Sequence, residues 1–148
     1  MEEEYMFEAL KEAKKSYKKG DVPVGAVIVY KNKIIARAHN VKELKKIATR
    51  HAEMIVIEQA CRKLKSWHLD NCTLYVTLEP CLMCSGAIIQ SRLGKLVYAT
   101  HSAKFGFVSS IEKTLNNVKN NHQVEILSGV CDKESQELLK SFFKDKRN

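Results

Sequence analysis

The chain has 148 residues, of which 45% are hydrophobic and 28% are charged, a composition typical of one folded domain. Lys and Arg outnumber Asp and Glu by 25 to 17, so the formal net charge is +8. That charge suits a polyanionic partner such as a nucleic acid, although a general excess of lysine would also explain it. A charged N-terminal segment and the lack of a long apolar run argue against a secreted or membrane-spanning protein. We therefore expect one cytoplasmic domain over residues 1–148.

The spacing of apolar residues predicts alternating helices and strands. The first helix runs from Glu2 to Lys19 and ends at Gly20. The elements that follow are predicted as strands at Val24–Tyr30 and Ile34–His39 around the turn Lys31–Lys33, a helix at Ala52–Leu64, a strand at Thr73–Thr77, a helix at Cys81–Gln90, strands at Leu96–Ala99 and Gln123–Leu127 with an optional helix between them, and a C-terminal helix. The strand–helix–strand unit requires a parallel pair. We predict an α/β fold with three α-β-α layers, in which a five-stranded mixed sheet has helices on both faces.

Two short motifs carry the chemistry of the sequence: His51 and Glu53 open one predicted helix, and Cys81 and Cys84 open another. Cysteines three apart in a first turn project to the same side, and zinc favours thiolate and imidazole ligands in a tetrahedron. A spacing of two residues brings His51 and Glu53 to one site only if the helix meets the metal with its N-terminus. The motifs therefore predict one Zn²⁺ per chain, held by His51, Cys81 and Cys84, with Glu53 as the catalytic proton carrier.

A Cys-x-x-Cys pair alone is also typical of thioredoxin-like redox proteins and of structural zinc sites. The sequence has no second Cys or His pair at ligand spacing that would complete a structural zinc site. In such a structural site Glu53 would also have no role. The whole pattern, His-x-Glu followed by Pro-Cys-x-x-Cys, is the signature of zinc-dependent nucleobase deaminases. We interpret the chain as a zinc-dependent hydrolase; a non-catalytic zinc module that binds RNA is the alternative of another class.

The sequence resembles the bacterial tRNA-specific adenosine deaminases, within the cytidine/deoxycytidylate deaminase superfamily. The resemblance covers nearly the whole chain. It is carried by Gly20–Val27, Ala38–Asn40, Arg50–Glu53, Thr73–Cys84, Ser85–Ala87, Ser91–Arg92, Ala103–Lys104, Asn121–His122, Val124–Ile126 and Phe142–Phe143.

This resemblance implies a cytidine deaminase-like fold and the conversion of adenosine to inosine at the wobble position of a tRNA anticodon. It also implies a homodimer, with the anticodon loop contacting both subunits. We expect no membrane association, and no other protein partner is implied. Among substrate-binding residues, Asn40 corresponds to the one that hydrogen-bonds the flipped base, and Val24 to a wall of the base pocket. Asn40 would also suit a simple Asx turn.

Three segments depart from the family pattern: Ala48–Arg50 replaces Pro-Thr-Ala, Ser102 replaces Asp, and Phe105–Ser110 replaces a glycine-rich stretch. These departures motivate a second enzymatic hypothesis, a free-base or nucleoside deaminase acting on guanine or cytosine. Phe105 and Phe107 suit stacking on unpaired RNA bases, packing in the core or a dimer contact. Basic side chains predicted to contact tRNA are Lys42, Lys45, Lys46, Arg50, Lys144, Lys146 and Arg147.

Overall fold

The computed structural model describes residues 2–147. Met1 and Asn148, which the predicted domain includes, lie outside this range, as does the side chain of Arg147. The elements are α1 (Glu2–Lys18), β1 (Gly25–Tyr30), β2 (Lys33–His39), α2 (Lys42–Lys45), α3 (Ala52–Leu64), β3 (Cys72–Leu78), α4 (Leu82–Gln90), β4 (Lys95–Thr100), β5 (Glu125–Ser128) and α5 (Asp132–Arg147). Within the described range, none of these helices is long and apolar enough to cross a membrane.

The five strands form one mixed sheet in the order β2-β1-β3-β4-β5. β1 is antiparallel to β2 and β3, whereas β3, β4 and β5 run parallel. The predicted five-stranded mixed sheet is therefore confirmed. The optional helix between the last two strands is wrong, because residues 101–124 form turns and irregular backbone.

The helices cover both faces of the sheet, as predicted. α1 and α5 contact each other and lie on one face, and α3 and α4 lie on the other. β1 is buried on both sides because its residues alternate between two apolar clusters. Ala26 and Ile28 pack with the α3 side, and Val27 and Val29 pack with the α1 side.

The hairpin turn and the connection before His51 also differ from the prediction. The hairpin turn needs only Lys31 and Asn32, both with positive φ (50° and 62°), because this conformation matches the twist of the strands. The connection before His51 contains the short helix α2. The buried carboxylate of Asp21 accepts hydrogen bonds from the N–H groups of Glu43 (2.9 Å) and Leu44 (3.2 Å). A residue distant in sequence thus pairs with backbone N–H groups that have no partner within the first turn of α2.

Gly25 allows α1 to lie directly against the start of β1. A Cβ atom at this position would come within 2.0 Å of the Ala9 carbonyl oxygen and 2.4 Å of the Ala13 backbone nitrogen. Both neighbours are helix backbone and cannot rotate away. Only a residue without a side chain fits here.

We predict that Gly25→Ala lowers the free energy of unfolding by about 3 kcal/mol, because the helix must move off the strand. Urea unfolding measures this. Gly86→Ala is the matched control, because Gly86 lies in α4 and a Cβ atom at this position would meet nothing within 4 Å. Gly86→Ala should leave the free energy of unfolding unchanged or raise it by up to about 1 kcal/mol. Equal stability of the two variants would contradict the close packing of α1.

Glu12 is a buried carboxylate that links α1 to β2. Its side chain is 3% exposed and lies 2.7 Å from Lys15 Nζ, 3.2 Å from His39 Nδ1 and 3.5 Å from an Arg37 nitrogen. Burial alone would raise the pKa of Glu12, but the hydrogen bonds from Lys15 and His39 outweigh it and lower the pKa below its ordinary 4.5.

We predict that Glu12→Gln lowers the free energy of unfolding at pH 7 by about 1–3 kcal/mol. Because the folded pKa is lowered, this stabilisation is present above pH 4.5 and is lost as the pH falls through the folded pKa. The difference between wild type and variant, measured by urea unfolding, should therefore shrink as the pH falls below 4.5 and through the lowered pKa of Glu12. Glu3→Gln on the exposed side of α1 is the control. A difference that stays constant on acidification would contradict the ion-pair argument.

Candidate active site

Two helices begin beside each other, and each begins with a predicted metal ligand. His51 is the N-cap of α3 (φ −79°, ψ 149°), and Cys81 is the N-cap of α4 (φ −76°, ψ 178°). The predicted helix start at Cys81 is one residue too early, because Cys81 has extended dihedral angles. Neither side chain caps its own helix, so the imidazole and the thiol can contact other groups. Helix N-termini also supply positive potential for thiolates.

The structure brings the three predicted ligands together. His51 Nδ1 lies 3.6 Å from Cys81 Sγ and 3.6 Å from Cys84 Sγ, and the three ligand atoms lie within 4.8 Å of one another. Throughout residues 2–147, this is the one group of three or more His, Cys, Asp or Glu side chains that could hold a metal ion. A hydrogen bond with Cys84, assisted by His51, lowers the pKa of the Cys81 thiol to about 4 despite its partial burial.

Glu53 is the second residue of α3 and is only 4% exposed. Burial raises the pKa of its carboxyl group to about 7, although the imidazole of His51 opposes this. The carboxylate does not join the group of ligand atoms but lines the same cleft as His51 and Cys81. A buried carboxyl group beside a group of potential metal ligands can accept and donate protons near neutral pH.

A cleft of about 690 Å³ opens over these groups. It is lined by Asp21, Val22, Val24, Asn40, Lys42, Glu43, His51, Ala52, Glu53, Leu78, Glu79, Cys81, His101–Phe105, Leu139 and Phe143. All the predicted site residues except Cys84, which is fully buried, therefore line one cavity. A groove of about 730 Å³ between α1 and α5 shares none of these residues and has no His or Cys in its lining.

Asn40 and Val24 form part of the cleft wall next to the sheet. Both are 7% exposed, and the Asn40 N–H donates to the Val24 carbonyl at 2.9 Å. Asn40 Oδ1 accepts a hydrogen bond from the Lys42 N–H at 3.2 Å, which is the Asx-turn contact that the sequence also suggested. Its Oδ1 thus holds the loop, and the Asn40 side chain still borders the cleft.

Glu79 is a functional candidate that sequence reasoning missed. Its carboxylate is fully buried and accepts hydrogen bonds from the N–H groups of Ser102 (3.0 Å), Val108 (3.0 Å), Ser109 (2.8 Å) and Ser110 (3.0 Å), and from the Ser110 hydroxyl. Burial alone would raise the pKa of Glu79, but these donors lower it to about 2. The one feature of the sequence that could have indicated Glu79 is its position, as a single acidic residue between an apolar strand and the Pro-Cys motif.

The other cysteines lie outside the ligand group. Cys72 is buried at the start of β3, and Cys61 and Cys131 are half-buried against the two apolar clusters. Burial raises the pKa of the Cys61 thiol, and it raises those of Cys72 and Cys131 to about 11. These thiols are therefore protonated at neutral pH and pack as apolar side chains.

Comparison with known proteins assigns this arrangement to a family. The family described as MafB19-like deaminase matches residues 1–147. The tRNA-specific adenosine deaminase of Bacillus subtilis (strain 168) is 47% identical over 146 residues, which cover 99% of this chain and 91% of that protein.

Two solved structures share the fold. One, from studies of A-to-I editing by tRNA:A34 deaminases at the wobble position of transfer RNA, has a TM-score of 0.88 and 38% identity and covers 92% of this chain and 99% of that one. A guanine deaminase from Bacillus subtilis has a TM-score of 0.66 and 33% identity over 83% of this chain and 82% of that one. The chain therefore belongs to the MafB19-like deaminase family and, by its near full-length relatives, to the tRNA-specific adenosine deaminases.

Proposed function

We propose that this chain hydrolyses adenosine to inosine at the wobble position of a tRNA anticodon, with one zinc ion held by His51, Cys81 and Cys84. The observation that carries the proposal is the grouping of these three side chains at the wall of the cleft that His51, Cys81 and Glu53 line. Its support comes from relatives named tRNA-specific adenosine deaminase that align over nearly the whole chain.

The distances between the ligand atoms fit zinc. With bonds of about 2.3 Å to sulfur and about 2.0 Å to nitrogen, a tetrahedral zinc separates nitrogen from sulfur by about 3.5 Å. His51 Nδ1 lies 3.6 Å from the sulfur of Cys81 and of Cys84. No fourth His, Cys, Asp or Glu within residues 2–147 joins the group, which suits a catalytic zinc better than the structural zinc of an RNA-binding module.

The proposed chemistry assigns a separate task to each residue. A zinc ion held by these three side chains would supply a water that acts as a nucleophile at neutral pH. Glu53 takes the proton that the water loses and delivers protons to the purine ring and to the departing amino group, so that adenosine and water give inosine and ammonia. Asn40 hydrogen-bonds the flipped base, and Val24 packs against it.

The remaining parts of the proposal concern the assembly. We propose a single deaminase domain over residues 1–148, supported by the one sheet of residues 2–147, on which α1, α3 and α5 pack. The anticodon loop is the proposed partner, supported by the net charge of +8, by exposed Lys42 in the cleft lining, and by exposed Lys45 and Lys46, which follow it closely in the chain. The homodimer and the cytoplasmic location stay predictions.

We predict that the purified protein forms inosine in an anticodon stem-loop RNA with adenosine at the wobble position. Mass spectrometry of the digested RNA measures the product. A stem-loop with guanosine at this position, and free adenosine, guanine and cytosine, complete the panel. Xanthine from guanine or uracil from cytosine, without inosine in the stem-loop, would contradict the tRNA assignment and support the second candidate, a free-base deaminase. The guanine deaminase relative and the departures at Ser102 and Phe105–Ser110 favour testing that candidate.

Salt dependence distinguishes the two candidates independently. An RNA substrate binds through its phosphates, so its KM should rise steeply between about 50 mM and 200 mM salt. The KM of a free base should change little. A stem-loop KM that does not depend on salt would argue against recognition of the RNA backbone.

We predict that the metal ligands and Glu53 can be separated by mutation. Cys84→Ala should lose zinc, and Glu53→Gln should keep zinc but lose at least about a hundredfold in turnover, because it cannot carry a proton. Zinc per chain is measured by plasma mass spectrometry and turnover on the stem-loop. Cys61→Ala and Glu58→Gln, an exposed glutamate on the same helix, are the matched controls and should keep both zinc and turnover. Full activity of Glu53→Gln would remove Glu53 from the mechanism.

A further inference from the structure

Phe105 is an exposed aromatic side chain at the opening of the cleft. It is 68% exposed and lines the same cavity as His51 and Glu53. The sequence left both phenylalanines of this segment open to stacking, core packing or a dimer contact, and the structure distinguishes the two by their exposure. Phe107, two residues later, is half-buried, and Val108 is buried in the core. The segment therefore has buried positions for apolar side chains, and Phe105 does not occupy one.

The backbone on both sides of Phe105 is held in place. Gly106 N–H donates to the Ser102 carbonyl at 2.8 Å, and Phe107 N–H donates to the Pro80 carbonyl at 3.0 Å. Gly106 also packs on the Glu79 carboxylate so closely that a Cβ would come within 2.3 Å of its Cδ. Glu79 thus holds residues 102–110 in place through hydrogen bonds from four backbone N–H groups and through its close contact with Gly106. The ring is presented by an ordered backbone, which reduces the entropy lost when a ligand binds.

The surroundings of Phe105 suit a nucleic acid strand. Exposed Lys104 precedes it in the chain, and exposed Lys42 and His101 line the same cleft. Aromatic rings among cationic side chains are how proteins hold single-stranded nucleic acids, with bases on the rings and phosphates on the cations. A free base that fills the cleft near Glu53 would give this ring no partner of that kind.

We propose that Phe105 is a stacking surface for an unpaired base adjacent to the target nucleotide of the RNA substrate. This inference rests on the proposed function and adds a specificity contact to it. Unpaired bases in RNA loops are commonly held on aromatic side chains, and loss of one such contact weakens binding about five- to hundredfold. The position differs from the glycine-rich family pattern, so the contact belongs to this chain's own segment.

Binding and stacking are measured on the Glu53→Gln protein, which holds the stem-loop without turning it over. Two stem-loops carry 2-aminopurine, one on the 5′ side and one on the 3′ side of the target adenosine, because stacking on an aromatic ring quenches its fluorescence. We expect quenching in one of them. Phe105→Ala should lose that quenching and weaken binding about tenfold, Phe105→Leu should behave like it, and Phe105→Tyr should retain both.

Controls separate stacking from folding and assembly. Phe7→Ala removes another exposed phenylalanine, on α1 and outside the cleft lining, and should leave binding and quenching unchanged. Melting temperature and sedimentation should be the same for wild type and Phe105→Ala. Unchanged binding and quenching in Phe105→Ala, or a changed oligomeric state, would overturn the stacking proposal while wild-type inosine formation still stood. A wild type that neither binds the stem-loop nor forms inosine would overturn the proposed function as well.

Discussion

The parallel pairing of β3 with β4 is the constraint on which the cleft depends. Leu78 and Thr100 are in register at the ends of these strands, and the Glu79 N–H donates to the Thr100 carbonyl at 2.9 Å. Because parallel strands end at the same edge of a sheet, the chain leaves both strands at one place. From β3 it enters α4 through the cysteine motif, and from β4 it enters the segment that carries Phe105. If β3 and β4 were antiparallel, the cysteine motif and the Phe105 segment would lie at opposite ends of the strands.

Three buried carboxylates at this edge have different environments and therefore different chemistry. Asp21 and Glu79 accept several backbone N–H groups, and each holds a loop of the cleft wall. Those donors keep the pKa of Glu79 near 2, so it stays charged and fixed. Glu53 is similarly buried without comparable donors, and burial raises its pKa to about 7. The same residue type thus anchors a loop at one position and suits proton transfer at the other.

The sequence predicted those features that depend on local spacing. α3 was predicted at its observed bounds, and the convergence of His51 and Cys81 followed from the argument that His-x-Glu works only at a helix N-terminus. Features that depend on distant partners were not predictable. α2 forms on the carboxylate of Asp21, twenty or more residues upstream, and the exposure of Phe105 depends on how Glu79 holds its segment. Single-sequence periodicity contains neither relation.

The shape of the cleft bears on the choice between an RNA loop and a free base. Its inner part, near Glu53 and Asn40, is buried and presents only a few polar groups, which suits the binding of one base. Its outer part carries exposed Lys42, Lys104 and Phe105, beyond the groups that would act on the base. A free base gains no affinity from such a border, and an exposed phenylalanine costs solubility. A substrate that extends past its target base in both directions uses the entire cavity, and single-stranded RNA has this property.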